Sequence, residues 1–240
     1  MRIQLPPVRT NVTAMSAPSR PVPVSRRARP AKSPLSRDAI LAAAQRLLDQ
    51  DGLSAVSLRR IAVQLDTGPA SLYAYVRNMQ ELHSLLLDRT LGEVDLSGGS
   101  ASDPRERLRS ILHSYVRTLL DRPGLAKLAA TTVPHGQGAM RLTEALLDGL
   151  MAAGVAPASA AWGVDLLLLQ FTAIASELSY RIEHGHEMDE VAEAYAQAPA
   201  HDFPHIHGLK EQLFSGDGPA RFRWKVDALI EGISQAPQPS

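Results

Sequence analysis

Between Ser57 and Val76 the chain has room for little except two short helices joined by a tight turn. Ser57 is a good N-cap, and Leu58, Ile61, Ala62 and Leu65 come after it at the spacing of one buried helical stripe. Asp66-Thr67-Gly68 ends that stripe. Pro69 then stands where the first residue of a helix tolerates proline, and Leu72 and Val76 fall on one side of that second helix. Asn78-Met-Gln-Glu81 has the spacing of a capping box and predicts a further helix to about Asp95. Upstream, Ser36 caps a first helix with Ile40, Leu41, Ala44, Leu47 and Leu48 on one face, and Gly52 stops it.

The rest of the chain reads as helical too. Ala and Leu dominate and aromatics make up only 5% of the residues. That composition favours helix over sheet, since a pleated surface prefers β-branched and aromatic side chains. The expected fold class is all-α. Ser97 to Ser102, Ser-Gly-Gly-Ser-Ala-Ser, reads as a flexible break. Beyond it, helices are expected from Pro104 to about Asp121, from Pro123 to about Thr131, from Gln137 to Ala153 and from Pro157 to about His184. Glu187 to Asp202 reads as a polar loop, followed by helices from Phe203 to Phe214 and from Pro219 to about Ile233. This divides the chain into an arm over 1–35, a three-helix helix-turn-helix unit with its connector over 36–95, and a larger helical unit over 103–235.

Lys and Arg number 25, as do Asp and Glu, but the balance hides an asymmetry. Residues 1–37 hold eight of the bases and none of the acids, leaving a net charge of −8 on the remainder. Pro6, Pro7, Pro18, Pro21, Pro23, Pro30 and Pro34 forbid an amphipathic targeting helix there, so the segment reads as a disordered basic arm. There is no cysteine, which excludes disulfides and thiolate metal sites and fits a reducing cytoplasm. No apolar run reaches the roughly 18 residues of a spanning helix. The most apolar stretch, Val164 to Leu169, is interrupted by Asp165 and followed by Gln170, so no membrane partner is expected. Catalysis is not expected either: the chain lacks a nucleophile elbow, a phosphate-binding Gly-Lys-Ser or Gly-Lys-Thr, and paired carboxylates with a plausible site. His184, His186, His201, His205 and His207 fall in one region. Nothing in their spacing fixes a converging metal site, so neither a metal nor a cofactor is expected.

A helix, a tight turn and a second helix are how a major-groove reader is built. With Leu72 and Val76 anchoring the second helix, Pro69, Ala70, Ser71, Tyr73 and Tyr75 are left to meet base edges, thymine methyls or phosphates. Arg59, Arg60 and Arg77 flank the reader with guanidinium groups suited to guanine edges and phosphates. From Leu58 to Leu82 the pattern LRRIAxxLxxxPASLYxYVxNxxEL runs without a gap, and by it the chain resembles the TetR family of repressors. The resemblance implies that Ser57 contacts phosphate and Arg59 a base. It also implies that Pro69 to Ser71 meet the groove floor, that Tyr73 and Tyr75 touch backbone or base, and that Asn78 holds a phosphate. Asp66 stands where the family usually has a turn glycine, and Met79 where it usually has a phosphate-binding lysine. Residues 38–95 carry eight acids against five bases, while DNA affinity rests on neutralising phosphate. Arg26, Arg27, Arg29 and Lys32 of the arm are therefore expected to reach a neighbouring groove.

The resemblance continues through Phe203 to Phe214 and Phe222 to Ile233, which look like the closing helices of the tetracycline-repressor subgroup. It implies a homodimer in which the helix from Pro157 and the last helix pack against their two-fold mates. It further implies a ligand chamber in this half, with His113, Tyr115, His135, Met140, Trp162, Gln170, Phe171, Glu177 or Tyr180 as its anchors. Where the subgroup has a metal-binding histidine this chain reads Leu128-Ala-Ala-Thr131, so the small-molecule effector is expected to differ from magnesium-tetracycline. The expected partners are double-stranded operator DNA, a second copy of the chain and that effector. The alternative is a helical ligand-binding or protein-sequestering module without specific DNA binding.

Overall fold

A computed structural model describes residues 34–99, 101–185 and 188–236. The arm with Arg26, Arg27, Arg29 and Lys32, and likewise His186, lies outside the described residues. Among those described there are eleven α-helices, one 3-10 turn and no strand.

The expected caps form. Ser36 accepts a hydrogen bond from the Ala39 amide at 3.1 Å and opens α1 (Arg37–Asp51), which Gly52 ends at φ +77°, its amide donating to Leu48. A 3-10 turn, Leu53–Ala55, leads to Ser57, which caps α2 (Leu58–Gln64) by accepting from the Arg60 amide at 3.3 Å. The next helix, α3, is only Pro69–Leu72; residues 73–75 continue as turns, and Val76 reaches back to the Leu72 carbonyl at 3.1 Å. The recognition segment is thus shorter as a helix than the spacing of Leu72 and Val76 suggests. Asn78 opens α4 (Met79–Leu91), which stops four residues before the expected Asp95. The apolar faces of α1, α2 and α4 bury Ile40, Leu48, Ile61, Leu72, Leu82 and Leu86 completely or nearly so.

The second half is built on α5 (Pro104–Leu120), α7 (Gln137–Ala152) and α8 (Pro157–His184), which pack on one another. The short α6 (Leu125–Ala129) fits against α4, α5 and α8. Gly149 lets α7 come close to α5, since a Cβ there would meet the Leu108 side chain at 2.6 Å. The last helix, α11 (Gly218–Gln235), lies on α5 and α8, tied by Arg109 to Asp227 at 2.6 Å and by Arg105 to Glu231 at 3.0 Å. One continuous hydrophobic cluster runs from Ile40 to Ile233. The break after Leu96 is fastened to α5, with the Asp95 amide donating to Ser114 Oγ at 2.8 Å.

One further expectation changes. The polar loop over 187–202 contains α9 (Met188–Ala196), whose Tyr195 meets Phe214 of α10 (Pro204–Phe214) edge to face at 5.4 Å. Glu190, Glu193 and the alanines are good helix formers, and the density of polar residues in the stretch concealed them. Moreover, α8 is long and apolar enough, by length and composition, to cross a membrane, although no unbroken apolar run signals it. Half of its most apolar stretch is buried within the protein, and Val164, Leu167, Phe171 and Ala175 make it a core helix.

Candidate nucleic-acid interface

Nine of the ten side chains expected to read DNA are exposed, and the short segment after the turn shows why. Leu72 and Val76 are buried to within 1%, which fixes the rotation of the short segment that carries them. Pro69, Ala70, Ser71, Tyr73 and Tyr75 are consequently exposed, together with Arg77 and Asn78 beyond the segment and Arg59 and Arg60 in the first turn of α2. Ser57 is half-buried by its capping role. Tyr73 stands 56% exposed, unusual for an aromatic ring with a core nearby. The turn itself bears a mark of its composition: Asp66 has φ +48°, the left-handed region that glycine enters freely and aspartate enters better than most.

The cations of this face are largely committed. Arg60 pairs with Asp51 at 2.5 Å, and Arg37 and Arg77 both pair with Glu81, at 2.7 and 3.2 Å. Glu81 also accepts from the Arg77 amide at 2.6 Å, while its own amide donates to Asn78 Oδ1 at 2.8 Å, so the box closes one residue ahead of the cap. The Arg77 amide, with the two guanidinium groups, holds the Glu81 carboxyl below its usual range. Arg59 is exposed and has no carboxylate partner among the described residues. Met79, at the position of the missing lysine, is half-buried against the core.

Two sets of contacts join the N-terminal helices to those behind them, and neither was apparent from the sequence. At the turn between α5 and α6, Arg122 bridges Asp49 of α1 at 2.5 Å and Glu93 beyond α4 at 2.6 Å. Beside it the Leu53 amide donates to the Pro123 carbonyl at 2.8 Å. At the far end of α4, Asp88 accepts from the backbone amides of Gly138 and Ala139 at 3.3 and 2.9 Å.

The candidate effector residues do not form one group. Tyr115 and Phe171 are buried, the Tyr115 hydroxyl 2.5 Å from Thr172 Oγ1, and burial pushes the phenol pKa up. Phe222 of α11 lies against Phe171 at 5.0 Å and edge-on to the exposed His113 at 5.7 Å. These residues meet where α5, α8 and α11 cross. His135 and Met140 are exposed at the start of α7. Glu177 pairs with Arg181 on the outside of α8, one turn before Tyr180 stacks on His184 at 4.2 Å. Trp162 and Gln170 face outward instead: Trp162 lines an open groove of about 250 Å³ with Gly163, Leu166, Gly232 and Ile233, and Gln170 another of about 200 Å³ with Trp224. No cluster of three or more potential metal ligands occurs among the described residues.

Comparison with known proteins places this geometry. Residues 40–84 match the family model of bacterial regulatory proteins of the tetR family, and residues 100–236 match that of the tetracyclin repressor-like C-terminal domain. A regulator of the helix-turn-helix type from Saccharopolyspora erythraea is 29% identical over 201 residues, 83% of this chain and 85% of its own length. A Streptomyces transcription regulator of known structure is 41% identical, superposes with a TM-score of 0.72, and is matched over 87% of this chain and 99% of its own. ActR of Streptomyces coelicolor, solved in complex with actinorhodin, is 34% identical with a TM-score of 0.72, over 84% of this chain and 97% of its own.

Proposed function

The chain belongs to the TetR family of bacterial helix-turn-helix transcriptional regulators, and from that premise we propose that it is a dimeric repressor that releases its operator on binding a small molecule. The observation that carries this reading is the recognition segment, where buried Leu72 and Val76 turn Pro69, Ala70, Ser71, Tyr73 and Tyr75 outward together. In this reading residues 36–95 grip DNA and 103–235 bind the effector and dimerise. Arg59 reads a base, Ser57, Arg77 and Asn78 hold phosphates, and the small recognition residues meet the groove floor. No residue is assigned a catalytic role and no cofactor is required. A cytoplasmic location agrees with DNA as the partner.

Dimerisation is supported by the face that α8 and α11 share. Trp162, Leu169 and Trp224 there are each about 70% exposed, and two large exposed tryptophans on one apolar face are the mark of an interface core. Two copies give the two recognition segments that a two-half-site operator needs. The effector is assigned to the junction of α5, α8 and α11 around Tyr115, Phe171 and His113. ActR, solved in complex with actinorhodin, supports a small-molecule ligand. The ligand acts by differential affinity for two settings of α4, and hence for two separations of the recognition segments.

With Arg60 paired to Asp51, Arg37 and Arg77 to Glu81, and acids outnumbering bases over 38–95, the head has little net charge to offer phosphate, and the arm of residues 1–35 supplies it. Binding of the full chain to a duplex selected from a random pool, titrated against salt, tests these assignments. Arg59→Ala together with Tyr73→Ala is expected to abolish selective binding with helix content unchanged. Removal of residues 1–30 is expected to flatten the salt dependence. Retention of selective binding by the double variant would refute the assigned reader, and an unchanged salt slope would refute the role of the arm. A wild-type chain that prefers no duplex would point to the sequestering module instead.

A further inference from the structure

Helix α7 has no cap of its own. Gly136 occupies the N-cap position and offers no side chain, yet the second and third residues of the helix, Gly138 and Ala139, have amides that need an acceptor. Asp88 supplies it from fifty residues away: Oδ2 accepts from Gly138 at 3.3 Å and Oδ1 from Ala139 at 2.9 Å. A carboxylate in that place also faces the positive end of the α7 dipole. The two glycines are required by the contact. A Cβ on Gly136 would fall on the Asp88 carboxylate, and one on Gly138 would run into the Asp88 carbonyl and approach the Gly92 amide to 2.9 Å. Backbone meets backbone here, and only glycine permits it.

The location gives the contact a consequence. Asp88 sits in the last turn of α4, whose first turn follows the Asn78 cap beside the recognition segment. α7 continues from the clasp into the effector half, burying Leu142, Leu146 and Leu150 against α5 and α8. We propose that Asp88 is the positioning residue that makes the setting of α4 and the setting of α7 a single variable, so that operator binding and the state of the effector half are coupled through this carboxylate. The inference rests on the operator-binding reading above and adds to it the residue through which the two halves are linked.

Coupling of this kind is reciprocal, so DNA must be felt at α7 just as an effector is felt at the head. The test uses the full chain and a duplex selected from a random pool, and reads amide hydrogen exchange at Gly138 and Ala139 with and without that duplex. In the wild type the duplex is expected to slow both amides, on the order of tenfold. In Asp88→Ala both are expected to exchange fast and equally fast with or without DNA, while Asp88→Asn, which keeps an acceptor oxygen, restores part of the response. Gly138→Ala leaves the carboxylate in place but forces the helices apart, and is expected to lose the response as Asp88→Ala does. That second variant carries the test if Asp88→Ala does not fold. A wild-type chain that binds its duplex selectively while the two amides stay unchanged would overturn the inference alone. A chain that selects no duplex would overturn the operator reading and the inference with it.

Discussion

The recognition surface and the α8–α11 face are both exposed, and they are exposed in opposite ways. Around α3 the outward residues are small or amphipathic, Pro69, Ala70, Ser71 and the two tyrosines, with arginines at the margins. Along α8 and α11 they are large and apolar, Trp162, Leu166, Leu169 and Trp224, with grooves beside Gly163 and Gly232. In the proposed reading the first surface meets DNA through base edges and methyl groups, and the second meets a copy of the chain. The difference also lies in how each is specified. The recognition surface is set by caps and anchors within about twenty residues, whereas the other face is built from two helices that α9 and α10 separate in the chain.

Variants that exchange these characters should separate them. The largest effect is expected from Trp162→Glu, which places a charge in the centre of the apolar face. It should cost about 4–8 kcal/mol of dimer affinity, read by sedimentation, with the helical content of each protomer retained. A protein that still sediments as a dimer would break the assignment of that face. Leu72→Ala is next. It empties a fully buried site behind the recognition segment and should lower stability by about 2–5 kcal/mol in denaturant melts, and selective DNA binding with it. Loss of binding with stability intact would mean that Leu72 is not the anchor.

Arg59→Ala is expected to weaken binding to the selected duplex by about 1–3 kcal/mol and to relax specificity at one position, with thermal stability unchanged. Met79→Lys sharpens the comparison from the other side: it restores a cation beside the cap and should steepen the salt slope by about one. An unchanged slope would place residue 79 away from phosphate.

The smallest effect is a pH dependence in α4. His83 Nε2 is buried with no hydrogen-bond partner among the described residues, and burial holds its pKa below the ordinary 6.5. A histidine depressed in the folded state is protonated first in the unfolded chain. Stability should therefore be full above about pH 6.5 and fall as pH drops from there towards the lower folded pKa. His83→Leu should remove that slope, and a slope that survives the substitution belongs to other groups.

Much of the head was legible in the sequence, because its information is local. Ser36, Ser57 and Asn78 cap where their side chains predict, and Gly52 stops α1. Even the odd Asp66 left a readable trace, its positive φ standing where the family has glycine. What escaped was tertiary. The Arg122 bridge to Asp49 and Glu93 joins residues far apart in the chain, and nothing nearby distinguishes that arginine from a solvated one. Gly136 and Gly138 were a faint signal, two glycines at the start of a helix that has no cap, but their partner lies fifty residues away. Trp162 and Gln170 fit a ligand chamber by residue type; the rotation of α8 turns them outward to the α8–α11 face. The density of polar residues in its stretch concealed α9.

The most direct test of the central claim is selection of preferred duplexes from a random pool by the purified full-length chain. A dimeric operator-binding chain enriches a site with two-fold symmetry, its half-sites separated by about 10 base pairs or a multiple of that spacing. Recovery of no sequence above nonspecific binding would contradict the claim.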